Sequence, residues 1–163
     1  MSLEKDFTAL INQYQKIIYK VCNLYMNNKT DREDLFQEIC LQSWKSYNSF
    51  KGESQFSTWL YRVALNTAIT FLKKNKKQIT TTYIEVFPDI NNEENNIEDQ
   101  AKAMYKAIGN LSKIDKALVM LYLENYSYIE IGETLGITAN NVAVKMNRLK
   151  LKLKEETEKM YEH

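Results

Sequence analysis

The sequence predicts an all-α protein made of two small helical domains joined by a flexible acidic linker, and three observations carry that prediction. Glycine and proline number 4 and 1 in 163 residues, too few turn formers for a sheet-rich fold. Through most of the chain apolar residues recur at spacings of three and four, the period of helices with one buried face. Between residues 78 and 101 that period fades and basic residues vanish. The domains are therefore placed at residues 1–77 and 102–163, with residues 78–101 as the linker. Each domain is near the smallest size that supports its own core.

The first helix carries Phe7, Leu10, Tyr14, Ile17, Val21 and Leu24 on one stripe and fades at Asn27 and Asn28. A second is expected to begin at Asp31, because Asp31, Glu33 and Asp34 crowd a first turn where the helix dipole favours negative charge. Leu35, Ile39 and Trp44 are assigned to its buried stripe. A loop, NSFKGESQF at residues 48–56, precedes a third helix expected to be capped by Ser57 and to run to about Lys74. Its inner face is read as Leu60, Val63, Ala64, Ala68, Phe71 and Leu72. Arg62, Asn66 and Lys73 share another face, and Lys73, Lys74, Lys76 and Lys77 end the helix in a positive cluster.

The linker holds the sole proline, Pro88, among Asn, Glu and Asp, the composition of a solvated tether. Periodicity returns near Ala101, and Ser112 with Asp115 resembles a capping box ahead of the apolar run ALVMLYL. Residues 126–154 then read as a helix-turn-helix. Gly136 permits a sharp turn, and Thr138 offers a cap for the next helix. On that helix Val142, Met146, Leu149 and Leu153 form the core stripe. The opposite face presents Asn140, Asn141, Val144, Asn147 and Arg148, with Lys145 and Lys150 at its borders, a set suited to base edges and phosphates.

Net charge is only +1, but it is segregated: 12 basic and 7 acidic residues up to residue 77, none and 6 in residues 78–101, and 10 and 8 thereafter. A near-neutral average therefore does not exclude nucleic acid. Cys22 and Cys40 fall within apolar helical patterns and are expected to be reduced and buried. Neither a membrane span nor a targeting segment is read, so a cytoplasmic protein without membrane insertion is expected. Catalysis, metal and cofactor chemistry are not expected, since the sole histidine is the terminal His163 and no glycine-rich phosphate loop or metal-ligand cluster occurs.

The segments DREDLFQEICLQSW (residues 31–44) and FSTWLYRVALNTAITFLKK (residues 56–74) resemble the sigma-two domain of extracytoplasmic-function sigma factors of the sigma-70 family, and the C-terminal domain resembles their sigma-four domain. The resemblance spans nearly the whole chain. It implies a bacterial initiation subunit that binds core RNA polymerase and directs it to minus-ten and minus-thirty-five promoter elements. Asp34, Gln37 and Glu38 would face the clamp helices of the largest polymerase subunit, and the flap of the second-largest would be a further contact. An anti-sigma factor is a possible additional partner.

In the minus-ten region, the loop stands where relatives hold a flipped base. Phe50 and Phe56 would stack on or wedge beside it, although Phe56 reads equally as a hydrophobic staple packed beneath Ser57; Gly52 would let the backbone approach, and Lys51, Ser54 and Gln55 would bond phosphate or base edges. On the third helix Asn66 would meet minus-ten bases, and Arg62, Lys73 and Lys74 phosphates. In the minus-thirty-five region the expected set is Thr138, Asn140, Asn141, Lys145, Asn147, Arg148 and Lys150. The acidic linker has a family counterpart that threads the polymerase cleft. Departures from the family pattern are Thr70 in place of Asp, Gly132 in place of Ala, and Ala143 and Val144 where basic or hydroxyl residues are common. Two other readings remain: an autonomous helix-turn-helix regulator, and a protein that occupies polymerase without recognising promoters.

Overall fold

Seven α-helices and one short 3-10 turn account for the regular structure of the computed structural model, which describes residues 2–75 and 95–161; among them there is no strand. The chain divides into two compact units, Met1–Ile79 and Thr80–His163, each described by itself.

The N-terminal unit contains α1 (Leu3–Tyr25), α2 (Lys29–Ser46), the 3-10 turn Tyr47–Ser49 and α3 (Phe56–Asn75). The three helices pack pairwise, and the stripe residues Ile18, Val21, Leu35, Ile39, Leu60, Leu65 and Leu72 are almost fully buried between them. Each such aliphatic side chain contributes about 1.5–3 kcal/mol by leaving water. Ser2 caps α1 by accepting from the Lys5 amide. A local kink falls at Tyr14 (φ −110°, ψ 17°), whose ring lies against Phe56.

Helix α2 begins two residues before the expected Asp31. Asn28 is its cap: its side-chain oxygen accepts from the Asp31 amide, and its own amide donates to the Asp31 carboxylate, both at 2.8 Å. Asparagine relinquishes helical backbone readily in exchange for this bond, so it outcompetes the acidic residues as the start signal. Arg32 then reaches back to the carbonyls of Met26 (3.1 Å) and Asn27 (2.8 Å), tying the end of α1 to the start of α2. Helix α3 likewise starts at Phe56 rather than after Ser57, with the Trp59 amide bonded to the Gln55 carbonyl. Trp44 is 40% exposed and Ser43 is the fully buried residue, so the stripe of α2 is rotated by one position near its end. Val63 and Phe71 are only half-buried, whereas Tyr61 and Leu65 join the core of α3.

The C-terminal unit contains α4 (Asn95–Gly109), α5 (Lys113–Leu123), α6 (Tyr128–Leu135) and α7 (Ala139–Tyr161). Helix α4 starts six residues before the expected Ala101, so residues 95–101 of the anticipated linker are helical. The remainder of the linker lies outside the described residues, as do Lys76 and Lys77. Ser112 caps α5, and Ser127 with Glu130 forms a reciprocal capping box on α6. The long α7 packs against α4, α5 and α6 through Val142, Met146, Leu149 and Leu153, all buried as the spacing predicts. The end of the ALVMLYL run departs from that pattern, with Tyr122 and Leu123 37% and 54% exposed.

One buried charge stands out. Lys116 of α5 is 1% exposed, and burial lowers its pKa from 10.5 to about 8. Cys22 is buried and Cys40 half-buried, both as free thiols. Burial pushes the Cys22 pKa up to about 12 and raises that of Cys40, which disfavours the reactive thiolate at neutral pH.

Candidate nucleic-acid and polymerase interface

The loop after α2 is carried on a bed of rings. Phe7 of α1 meets Trp44 and Tyr47 at 5.1 Å, and Phe50 meets Trp59 at 5.3 Å and Phe56 at 5.7 Å. Phe56 in turn packs on Trp59 at 5.3 Å and Tyr14 at 5.4 Å. These tilted and edge-on pairs hold both ends of the loop through residues far apart in sequence. Lys51, Gly52, Ser54 and Gln55 remain exposed above them, and Phe50 is half-exposed.

Two loop residues stand apart from the others. Phe56 is 8% exposed and enclosed by four rings, so it serves as a keystone of the cluster and has no free face for a base. Gly52 has a φ of +73°, a left-handed backbone that favours glycine, with nothing within 4 Å of where a Cβ would stand.

On α2, Asp34 and Gln37 are exposed and Glu38 is half-buried. The Gln42 amide donates to the Glu38 carboxylate at 2.7 Å, fixing its direction. Across from them on α3 stand Asn66, Thr70 and Lys74, and the two helices enclose a cleft lined also by Thr67 and Phe71. The cleft brings Glu38, expected to meet polymerase, beside Asn66 and Lys74, expected to meet DNA. Arg62 and Lys73 are exposed on the same helix. Gln42 was not singled out by sequence; its i, i+4 spacing from Glu38 was the available signal.

The helix-turn-helix is assembled by local chemistry. Gly136 takes φ +76°, and both its amide and that of Ile137 donate to the Gly132 carbonyl, at 2.8 and 2.9 Å. Gly132 itself is required by space: a Cβ there would lie 2.5 Å from the Ile137 carbonyl oxygen. Thr138 accepts from the Asn141 amide at 3.1 Å, so its hydroxyl is a helix cap. Beyond the turn Asn140, Asn141, Val144, Lys145, Asn147 and Arg148 are all exposed, opposite the buried stripe.

Lys150 is the member of this set that the fold redirects. Its ammonium sits 4.6 Å from the Tyr122 ring centroid and 3.4 Å from the Tyr128 hydroxyl, and these contacts, Tyr122 first, raise its pKa. It thereby borders an apolar groove of about 350 Å³ lined by Met104, Ile108, Val119, Leu123, Met146 and Leu153 among others. Nothing in the linear pattern marked this groove, because its walls come from α4, α5 and α7 together. Among the described residues no His/Cys/Asp/Glu group could hold a metal ion, and no helix is long and apolar enough to cross a membrane.

Comparison with known proteins gives consistent matches in both units. Residues 10–78 match the model of sigma-70 region 2, and residues 101–153 match that of sigma-70 region 4. The chain is 28% identical over 156 residues to the ECF RNA polymerase sigma factor SigW of Bacillus subtilis, covering 87% of this chain and 83% of the relative. It is also 28% identical over 159 residues to the ECF RNA polymerase sigma-E factor of Haemophilus influenzae, covering 89% and 84%. Among solved structures, the fold is similar to the sigma factor RpoE of Bartonella quintana in complex with the anti-sigma factor NepR, with a TM-score of 0.73 at 18% identity over 94% of this chain and 98% of that one. It is similar also to CnrH in complex with the cytosolic domain of CnrY, with a TM-score of 0.63 at 17% identity over 93% and 87%.

Proposed function

The chain belongs to the sigma-70 family, in its extracytoplasmic-function branch, and from that premise we propose how its two units divide the work of initiation. As a sigma factor it is a non-enzymatic subunit that binds bacterial core RNA polymerase and directs promoter-specific transcription. Within that role the N-terminal unit, about residues 1–77, takes core binding and the minus-ten element, and the C-terminal unit from about residue 102 takes the minus-thirty-five element.

Asp34, Gln37 and Glu38 form the polymerase contact, facing the clamp helices of the largest subunit. The Glu38 carboxylate, aimed by Gln42, supplies register and complementarity more than raw affinity. Lys51, Ser54 and Gln55 with Phe50 meet the displaced strand of the minus-ten element while Phe56 holds the loop from below. Asn66 reads a base, and Arg62, Lys73 and Lys74 meet phosphates.

The observation that carries the assignment of the C-terminal unit is α7, whose polar face is wholly exposed while its apolar stripe is wholly buried. Asn140, Asn141, Asn147 and Arg148 read base edges, and Lys145 a phosphate, in a major groove. Lys150 instead guards the apolar groove, which suits an amphipathic segment such as the polymerase flap. An anti-sigma factor competing for such surfaces is a natural partner, by analogy with the complexes of the two structural relatives. The protein acts where core polymerase is, in the cytoplasm. For the acidic stretch including Glu93 and Glu94, entry into the polymerase cleft predicts that neutralising it alters abortive transcript yield, and an unchanged yield leaves it a tether alone.

Reconstitution with core polymerase from its own bacterium and mapping of transcript starts tests this reading. Discrete starts sharing two spaced upstream elements are expected, and Glu38→Lys should weaken core binding with an unchanged helical signal. Core binding without starts would defeat the promoter assignment.

A further inference from the structure

Val144 is the odd member of the exposed face of α7. It is 42% exposed, and its helical neighbours at three and four residues on either side are Asn140, Asn141, Asn147 and Arg148, every one exposed and polar. A β-branched side chain there adds nothing to the core and is a weaker helix former than the alternatives. Its stiffness at χ1 does hold two methyl groups in a fixed position at the centre of three amides and a guanidinium. A lone apolar residue ringed by polar ones is not a protein-docking patch. Leu151, the next exposed apolar residue on this face, stands seven residues on, about 10 Å further along the axis and away from the N-terminal turns that contact base edges.

Of the groups that the four bases show in the major groove, only the thymine 5-methyl is apolar. We propose that Val144 packs against one such methyl, so that the element selected by α7 carries a thymine at that base pair, flanked by pairs read through the surrounding amides. The inference rests on the reading of α7 as a groove-bound helix and adds to it the identity of one base and the residue that selects it.

The full chain, assembled with core polymerase from its bacterium, is used to enrich bound duplexes from a library randomised upstream of a fixed start region. Each thymine of the enriched upstream element is then replaced singly by deoxyuridine, which removes only the methyl. One replacement should weaken binding about fourfold, the value of burying one methyl group, and the same replacement should have no effect on the holoenzyme carrying Val144→Ser. Because Val144 is exposed, that variant keeps its fold and its core binding, both measured in parallel. An enriched element whose thymines are all indifferent to methyl loss, or stay equally sensitive in Val144→Ser, overturns this inference alone. A holoenzyme that starts transcripts but enriches no upstream element overturns the groove reading together with it.

Discussion

The two surfaces proposed to meet DNA are built on opposite plans. The loop of the N-terminal unit rests on rings gathered from α1, α2 and α3, and one of its own residues, Phe56, is spent as core. The recognition face of the C-terminal unit rests on a scaffold made by residues a few positions apart, the Ser127–Glu130 box, the Gly132–Gly136 turn and the Thr138 cap, and its outward side chains carry no packing duty. In the first, the proposed contact residues sit directly on the rings that hold the unit together, and Phe50 belongs to both groups. In the second they are separate, so the face can change its reading without disturbing the fold. That separation leaves room for an exposed valine among the three asparagines of this face.

The largest effect should come from breaking the ring cluster. Phe56→Ala is expected to cost about 4 kcal/mol, the range of buried aromatic truncations, and to weaken minus-ten binding at the same time. Denaturant unfolding of the full chain followed by tryptophan fluorescence reports it directly, since Trp44 and Trp59 both lie in the cluster. Loss of DNA binding at unchanged stability would contradict the shared-duty plan.

Gly132→Ala tests the opposite scaffold. The Cβ would lie 2.5 Å from backbone that cannot yield without opening the turn, and overpacking of this kind costs about 2 kcal/mol. Hydrogen exchange of the α6 and α7 amides should quicken while that of α1 to α3 stays unchanged.

A similar scale is expected for Lys116. Its folded pKa of about 8 lies below the unfolded 10.5, so between these values the folded chain binds fewer protons than the unfolded one. Stability of the C-terminal unit should therefore rise as pH climbs through that window and be fully penalised below it. Lys116→Met should raise stability near pH 7 by about 2 kcal/mol and flatten the rise, as read by exchange of α5 amides from pH 7 to 10.

The mildest outcomes belong to the outward face. Lys145→Ala should leave the melting temperature unchanged, weaken binding to all sequences alike and reduce the salt slope by about one. A shift in melting temperature with this substitution would show that the face shares in packing after all.

The helices were legible in the sequence where their causes are local. The stripe Val142, Met146, Leu149 and Leu153, the left-handed Gly136 and the caps at Ser112 and Thr138 depend on spacing and on side chains within four residues of the backbone they satisfy. Helix starts are less legible where a nearer cap competes, as at Asn28, whose bond to Asp31 places α2 earlier than the acidic run suggests.

The linear pattern of the chain by itself determined the all-helical class, the stripes and the polar face of α7, because a periodicity of 3.6 fixes which residues share a side. It did not determine what each side would meet. Only the tertiary structure decided that Phe56 is enclosed, that Lys150 turns from the polar face to two tyrosines, that Glu38 and Asn66 share a cleft, and that Lys116 is buried. Each depends on a neighbour brought from a distant helix, and burial is a property of that neighbour as much as of the residue itself.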